Sequence, residues 1–176
     1  MKKIILTTDR LVLREMYRED VDHLLEMFQD PEVMKYYSGL KNREETRKWI
    51  EWTRENYGKY GVGLWIVEGK STGEFLGQCG LVLQKVDGNM EIELGYLLKR
   101  CQWGKGIALE AARACKHYWY EKMTAERVIS LIDPLNDRSA KLAARIGMKY
   151  EKRIRKWEKE LDLYSFYRSD FTHIQE

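Results

Sequence analysis

Proline is nearly missing from this chain of 176 residues: only Pro31 and Pro134 occur. Repeats, low-complexity tracts and Gly/Ser-rich linkers are missing too. Both prolines sit where local patterns change, so they punctuate elements within one domain, residues 1–176. Cysteine is scarce, and Cys79, Cys101 and Cys115 are odd in number and widely spaced. That excludes a disulfide framework and a CxxC metal site. His23, His117 and His173 show no ligand spacing. No apolar run approaches the roughly 18 residues of a membrane span, and Ile4-Ile5-Leu6 is too short for a signal-peptide core. An excess of one charge is lacking as well. Thirty-one Lys+Arg are interspersed with 28 Asp+Glu, against a dedicated nucleic-acid surface. The expectation is a soluble, reduced, cytoplasmic protein without metal, membrane or nucleic acid.

What is present is globular: 44% hydrophobic and 34% charged residues, enough for one sizeable core. Thr8–Met16 reads as a strand, with Leu11 and Leu13 alternating with Arg10, Val12 and Arg14. Val21, Leu24, Leu25 and Phe28 recur at helical spacing and stop before Asp30-Pro31. An aromatic-rich segment, Glu32–Tyr37, leads to a second helix from Arg43 to Tyr57. Tyr36-Tyr37 and the Trp49/Trp52 pair admit two readings, a substrate pocket or core packing, and core packing is the commoner fate of large aromatics. Gly63–Val67, Glu74–Gln84 and Glu91–Leu98 follow as a strand meander. On Glu74–Gln84, alternation puts Phe75 and Cys79 on one face and Leu76 and Gln78 on the other.

The most informative stretch is Glu91–Cys115. A strand runs into Gly104-Lys105-Gly106, and Ile107 opens a helix of good helix formers. The first helical amides have no intrahelical acceptor and carry partial positive charge, so strand, glycine turn and helix form an anion site suited to phosphate. Leu109 stands where a dinucleotide fingerprint needs its third glycine, and the P-loop Lys-Ser/Thr is absent. On the two glycines alone, a plain tight turn is an equal alternative. Val128–Ile132 then makes strand–helix–strand, a right-handed crossover whose two strands should be parallel neighbours. Asn136 or Asp137 caps a helix to Ile146, with Gly147 as its C′ residue. Tyr150–Trp157 and Leu161–Tyr167 close the chain as antiparallel strands with a solvated, charged face. A nucleic-acid or ribosome contact is the alternative for that face.

Taken together, Thr8-Asp9-Arg10-Leu11-Val12-Leu13-Arg14, Glu93-Leu94-Gly95-Tyr96, Trp103-Gly104-Lys105-Gly106 with Ala108 and Glu110-Ala111, and Asn136 with Ser139 and Ile146-Gly147 resemble the GNAT superfamily of N-acetyltransferases. The chain is most similar to the branch that acetylates ribosomal-protein N-termini (alanine or serine). The likeness spans residues 8–168. It implies an α+β single-domain fold, with a mixed, mostly antiparallel sheet of about seven strands splayed at the centre and about four flanking helices. It implies acetyl-CoA as donor. Cys101, Gln102, Trp103, Gly104, Lys105, Gly106, Ile107 and Ala108 would wrap the pyrophosphate, with Cys101 where the family has Gln or Arg. The backbone near Tyr96, Leu97 and Leu98 would pair with the pantetheine arm, Asn136 would hydrogen-bond it, and a bulge near Glu93 would produce the splay.

Acetyl transfer needs a neutral amine and a proton for the leaving thiolate. Glu93 is the first candidate for base and Glu91 the second, through water. The tyrosine acid of many relatives would fall at position 143, which is Ala143, so Ser139 is the candidate acid and also a coenzyme contact. Tyr36 and Tyr37 are the candidate acceptor contacts. At pH 7 roughly one in ten α-amines but only a few in ten thousand lysines are neutral, which inclines the acceptor toward a peptide or protein N-terminus, with a small amine as the other option. A non-catalytic acyl-CoA-binding protein is the alternative function. Both a monomer and a homodimer fit the sequence.

Overall fold

The computed structural model describes residues 1–171. Among these, eight strands form one sheet in the order β1-β2-β3-β4-β5-β6-β8-β7. The chain order is β1 (Ile4–Thr7), β2 (Leu11–Arg14), α1 (Val21–Phe28), α2 (Arg43–Tyr60), β3 (Leu64–Gly69), β4 (Phe75–Val86), β5 (Asn89–Leu98), α3 (Ile107–Lys122), β6 (Arg127–Ile132), α4 (Asp137–Arg145), β7 (Lys149–Lys156), β8 (Lys159–Tyr167) and a short α5 (Arg168–Phe171). The first strand and α5 exceed the expected counts. Residues 4–7 pair with β2 through a register shift, so the expected strand Thr8–Met16 is a hairpin arm shortened to Leu11–Arg14. His173 lies outside the described residues.

Two apolar layers cover the sheet. On one face, α3 packs Ala111, Ala112, Cys115 and Trp119 against Leu13, Trp65, Cys79 and Leu81. On the other, α1 and α2 bring Leu24, Met27, Phe28 and Ile50 to Met16, Ile66 and Val82. Each fully buried Leu, Ile, Met or Phe side chain among these contributes on the order of 1.5–3 kcal/mol. The face assignment on β4 needs correction. A register shift between β3 and β4 at Val67/Glu68, with Gly77 at φ 156°, exchanges the faces of Phe75 and Leu76. Phe75 therefore packs with Val82, and Leu76 with Cys79. A bulge adds one residue, and one residue inverts side-chain parity.

Arg14 is buried rather than solvated. Its guanidinium forks onto Asp20 at 2.8 and 2.9 Å and reaches Glu68 at 2.6 Å. Lys116 on α3 is also inside. It donates to the Ile146 carbonyl at 2.6 Å, closing the end of α4, and lies 4.0 Å from the centre of the Phe166 ring. At the far edge β7 buries only Ile154 and carries Lys, Arg and Glu along its solvent side, which discourages strand addition there.

The central junction positions the site. All ten residues of β5 lie within an uninterrupted antiparallel register with β4, running from Gly77↔Leu98 to Val86↔Asn89. Parallel pairing of β5 with β6 is limited to Glu93↔Ile129. The crossover strands are parallel neighbours, as expected, and diverge after that one pair. No bulge interrupts the β4–β5 register at Glu93. The splay arises because β6 follows β8, with which it pairs along its whole length, Arg127↔Tyr167 to Ile132↔Asp162.

Candidate active site

Where β5 and β6 part, a cleft opens in two continuous lobes of about 630 and 330 Å3. Tyr36, Tyr37, Tyr96, Leu97, Asn136 and Ser139 line both, so they mark the passage between the lobes. Glu93 and Gln78 line the larger lobe; Trp103, Ala108 and Leu98 line the narrower one.

The strand edge along the narrow lobe has open backbone groups. Ser130 Oγ donates to the Leu94 carbonyl at 2.8 Å, so Leu94 turns its backbone toward β6. Alternation then turns Leu97 toward β4 and Tyr96 toward the gap, where the register with β6 has ended. The amide and carbonyl of Tyr96 are thus offered to whatever occupies the cleft. Opposite stands the start of α4. Asn136 Oδ1 accepts from the Ser139 amide at 3.2 Å as N-cap, leaving its NH2 for the cleft. Tyr96 Oη donates to the Ser139 carbonyl at 2.9 Å, which ties strand to helix across the gap. The helix-start hydroxyl of Ser139 is not needed as a cap, because Asn136 fills that role.

The glycine loop ends the narrow lobe. Gly104 and Gly106 adopt left-handed φ of 76° and 75°, and Gly106 is the N-cap of α3. The opening residues of the chain brace it. Arg10 Nη1 donates to the Lys105 carbonyl at 2.9 Å, and Arg10 Nε meets Glu110 Oε2 at 2.6 Å. Glu110 also accepts from Thr8 Oγ1 at 2.5 Å. Arg138 stacks 3.8 Å from the centre of the Trp103 ring, and Trp103 Nε1 donates to the Leu98 carbonyl at 3.2 Å. Cys101 is exposed. The side chain of Gln102 turns away to Glu74, at 3.3 Å, and those of Leu98 and Ile107 are buried in the core, so only their backbone can serve the cleft. Braced amides at a helix start, a free strand edge and the Asn136 amide fit a pyrophosphate followed by an amide-bearing arm, the shape of coenzyme A.

Glu93 stands at the floor of the larger lobe. Its Oε2 is buried without a hydrogen-bond partner. Burial pushes the carboxyl up to about 8, and the charge of Lys156 only partly offsets this. Tyr37 is 46% exposed as a residue. Desolvation in the cleft, together with the Glu93 charge, raises its hydroxyl to about 12. Glu91 is differently placed: Arg127 grips it at 2.6 and 3.2 Å and also holds Glu151. It is held in a structural ion pair, whereas Glu93 has a carboxyl oxygen without a partner in the lining of the cleft.

Residues 10–149 match the family described as the acetyltransferase (GNAT) domain. The chain belongs to the GNAT acetyltransferases. Among its relatives, the uncharacterized protein YkkB of Bacillus subtilis (strain 168) is 48% identical over 163 residues, 92% of this chain and 95% of YkkB. The uncharacterized N-acetyltransferase p20 of Bacillus licheniformis is 32% identical, over 92% and 93% of the two chains. In fold, the chain is similar to RimL, a ribosomal L7/L12 alpha-N-protein acetyltransferase solved with coenzyme A. The TM-score is 0.79 with 16% identity, over 94% of this chain and 98% of that one. Acetyl-CoA is the cofactor of this GNAT fold.

Trp49 and Trp52, read in the sequence as either pocket or core, line the larger lobe, and Trp49 also packs against the core. Trp157, which the sequence did not single out, lines the same lobe. Lys159 pairs with Asp133 at 2.9 Å and donates to the Tyr36 carbonyl at 2.6 Å, fastening the aromatic segment across the cleft. Trp157 and Lys159 gave no sequence signal for this place, because both sit among the alternating charges of the closing strands. Among the described residues, no group of His, Cys, Asp or Glu is arranged to hold a metal, and no helix is long and apolar enough to cross a membrane.

Proposed function

We propose that this protein transfers the acetyl group of acetyl-CoA to a primary amine, by direct attack with both substrates bound. The observation that carries the proposal is Glu93: an unpartnered carboxyl at the floor of the larger lobe, on the strand whose open edge lines the narrower one. Acetyl-CoA supplies an activated thioester carbonyl. The loop Cys101–Ala108 holds its pyrophosphate through backbone amides, and Tyr96 with Asn136 holds the arm.

An acceptor entering the larger lobe presents its ammonium to Glu93. Once ionised, Glu93 takes a proton from the nitrogen, directly or through water, leaving a lone pair aimed at the carbonyl. A raised pKa suits this task, since Glu93 and an α-amine of pKa near 8 exchange a proton at little free-energy difference. Backbone N–H groups at the open edge of β5 stabilise the negative charge developing on the carbonyl oxygen. Ser139, positioned by Asn136 and Tyr96, donates a proton to the departing thiolate and regains one from the nitrogen of the collapsing tetrahedral intermediate, so that amide, thiol and protonated Glu93 remain. An α-amine is the acceptor this arrangement serves best, because a lysine would need a stronger base.

The test is thiol release from acetyl-CoA with peptides bearing free N-termini, polyamines, amino acids and aminoglycosides. Turnover with α-amines is the expected result. Coenzyme binding without turnover on any acceptor would favour an acyl-CoA-binding role, and failure to bind coenzyme A would refute the reading of the loop.

A further inference from the structure

Large apolar side chains left exposed on a soluble domain mean most when they gather at one place. Tyr37, Leu40, Trp52 and Trp157 are 46%, 51%, 38% and 55% exposed, and all four line the larger lobe. Trp49 forms the wall behind them. Its Nε1 donates to Gln78 at 3.1 Å, and its ring stands edge-on to Phe28 at 5.8 Å and 5.1 Å from the Trp52 ring.

Trp157 is independent evidence that this wall is built for a ligand. The β7–β8 hairpin closes in two residues, Trp157 and Glu158, between Lys156 and Lys159. Both have left-handed φ, 52° and 60°. Turns of that shape favour Asn-Gly or Asp-Gly, and the β4–β5 hairpin uses Asp87-Gly88 at φ 48° and 83°. A bulky tryptophan in the left-handed region is a backbone outlier, of the kind that persists where function requires it. Its ring faces the lobe instead of packing in the core.

Resting on the acetyl-transfer reading above, we infer that the acceptor is an α-amine whose carbon carries a large aromatic side chain. The Trp49/Trp52/Trp157 wall holds that side chain while Glu93 receives the ammonium. A small side chain such as alanine or serine would leave the wall bare.

Four probes share one α-amine and differ only in side chain: phenylalaninamide, tryptophanamide, alaninamide and serinamide. Each is titrated calorimetrically into the protein saturated with coenzyme A, then assayed for thiol release from acetyl-CoA. The aromatic amides should bind at least tenfold more tightly. Trp52→Ala and Trp157→Asn should remove that preference while leaving coenzyme A affinity unchanged, and Trp157→Asn should melt no lower than the parent, because asparagine suits the turn. Equal affinity for all four probes, or a preference that survives both substitutions, would overturn the inference. Preferential binding of aromatic amides without turnover would uphold the pocket and refute the transferase reading, so the two failures are distinguishable.

Discussion

Glu93 joins two properties that rarely coincide on a strand: a carboxyl oxygen without a partner and a position in the lining of the larger lobe. Glu93→Gln should lower kcat/KM by about 10²–10⁴-fold, the usual range for a general base, with coenzyme A affinity retained. In the parent, kcat/KM should rise with a pKa near 8, and that limb should vanish in the variant. Stability carries the same signature. Between the ordinary value of 4.5 and about 8, the folded protein holds a proton that the unfolded chain has released. Stability therefore falls as pH rises across that window, and melting curves of Glu93→Gln should show a flatter dependence there. Ser139→Ala should reduce kcat about tenfold or more, most strongly for thiolates that leave poorly, with the α4 cap intact because Asn136 makes it. Glu93, Ser139 and Asn136 were legible in sequence as candidates. Their surroundings were not. That Glu91 is held by Arg127 and Glu93 is unpartnered depends on β6 and β7, strands more than thirty residues away. Lys116 and Arg14 are buried charges, and periodicity cannot show that a carbonyl or a carboxylate pair awaits them inside.

The glycine loop shows how elements cooperate. Gly104 and Gly106 share nearly the same φ, yet they differ in surroundings: nothing lies within 4 Å of a Cβ built on Gly104, whereas one on Gly106 meets Arg10 Nη2 at 3.3 Å. Gly106→Val combines backbone strain of roughly 1–3 kcal/mol with displacement of the Arg10 brace. Acetyl-CoA should bind about tenfold or more weakly by calorimetry, and Gly104→Ala should have the smaller effect. Strand, loop and helix were predictable here, since helix formers follow a glycine pair after an apolar strand. The brace was not, because Thr8 and Arg10 are about a hundred residues from Glu110. Element boundaries failed where the chain left strict alternation. The bulge at Gly77 inverts Phe75 and Leu76, and Trp157 belongs to a turn although its neighbours alternate as a strand. Two-residue periodicity carries no information about the point at which it slips.

At the scale of the whole molecule, the sheet is two half-sheets, β1–β5 and β6–β8–β7, meeting at the single pair Glu93↔Ile129. The order of the halves was readable from the strand–helix–strand crossover. The width of the gap was not, because it depends on β6 following β8. One consequence can be followed by deuterium. The Tyr96 amide faces the gap and should exchange rapidly, whereas Leu97, turned toward β4, should exchange slowly. Coenzyme A should slow Tyr96 and leave Leu97 almost unchanged, so protection would appear at alternate residues. The donor would then act as a borrowed strand, a stitch across an open seam, and the seam would be closed before the amine arrives.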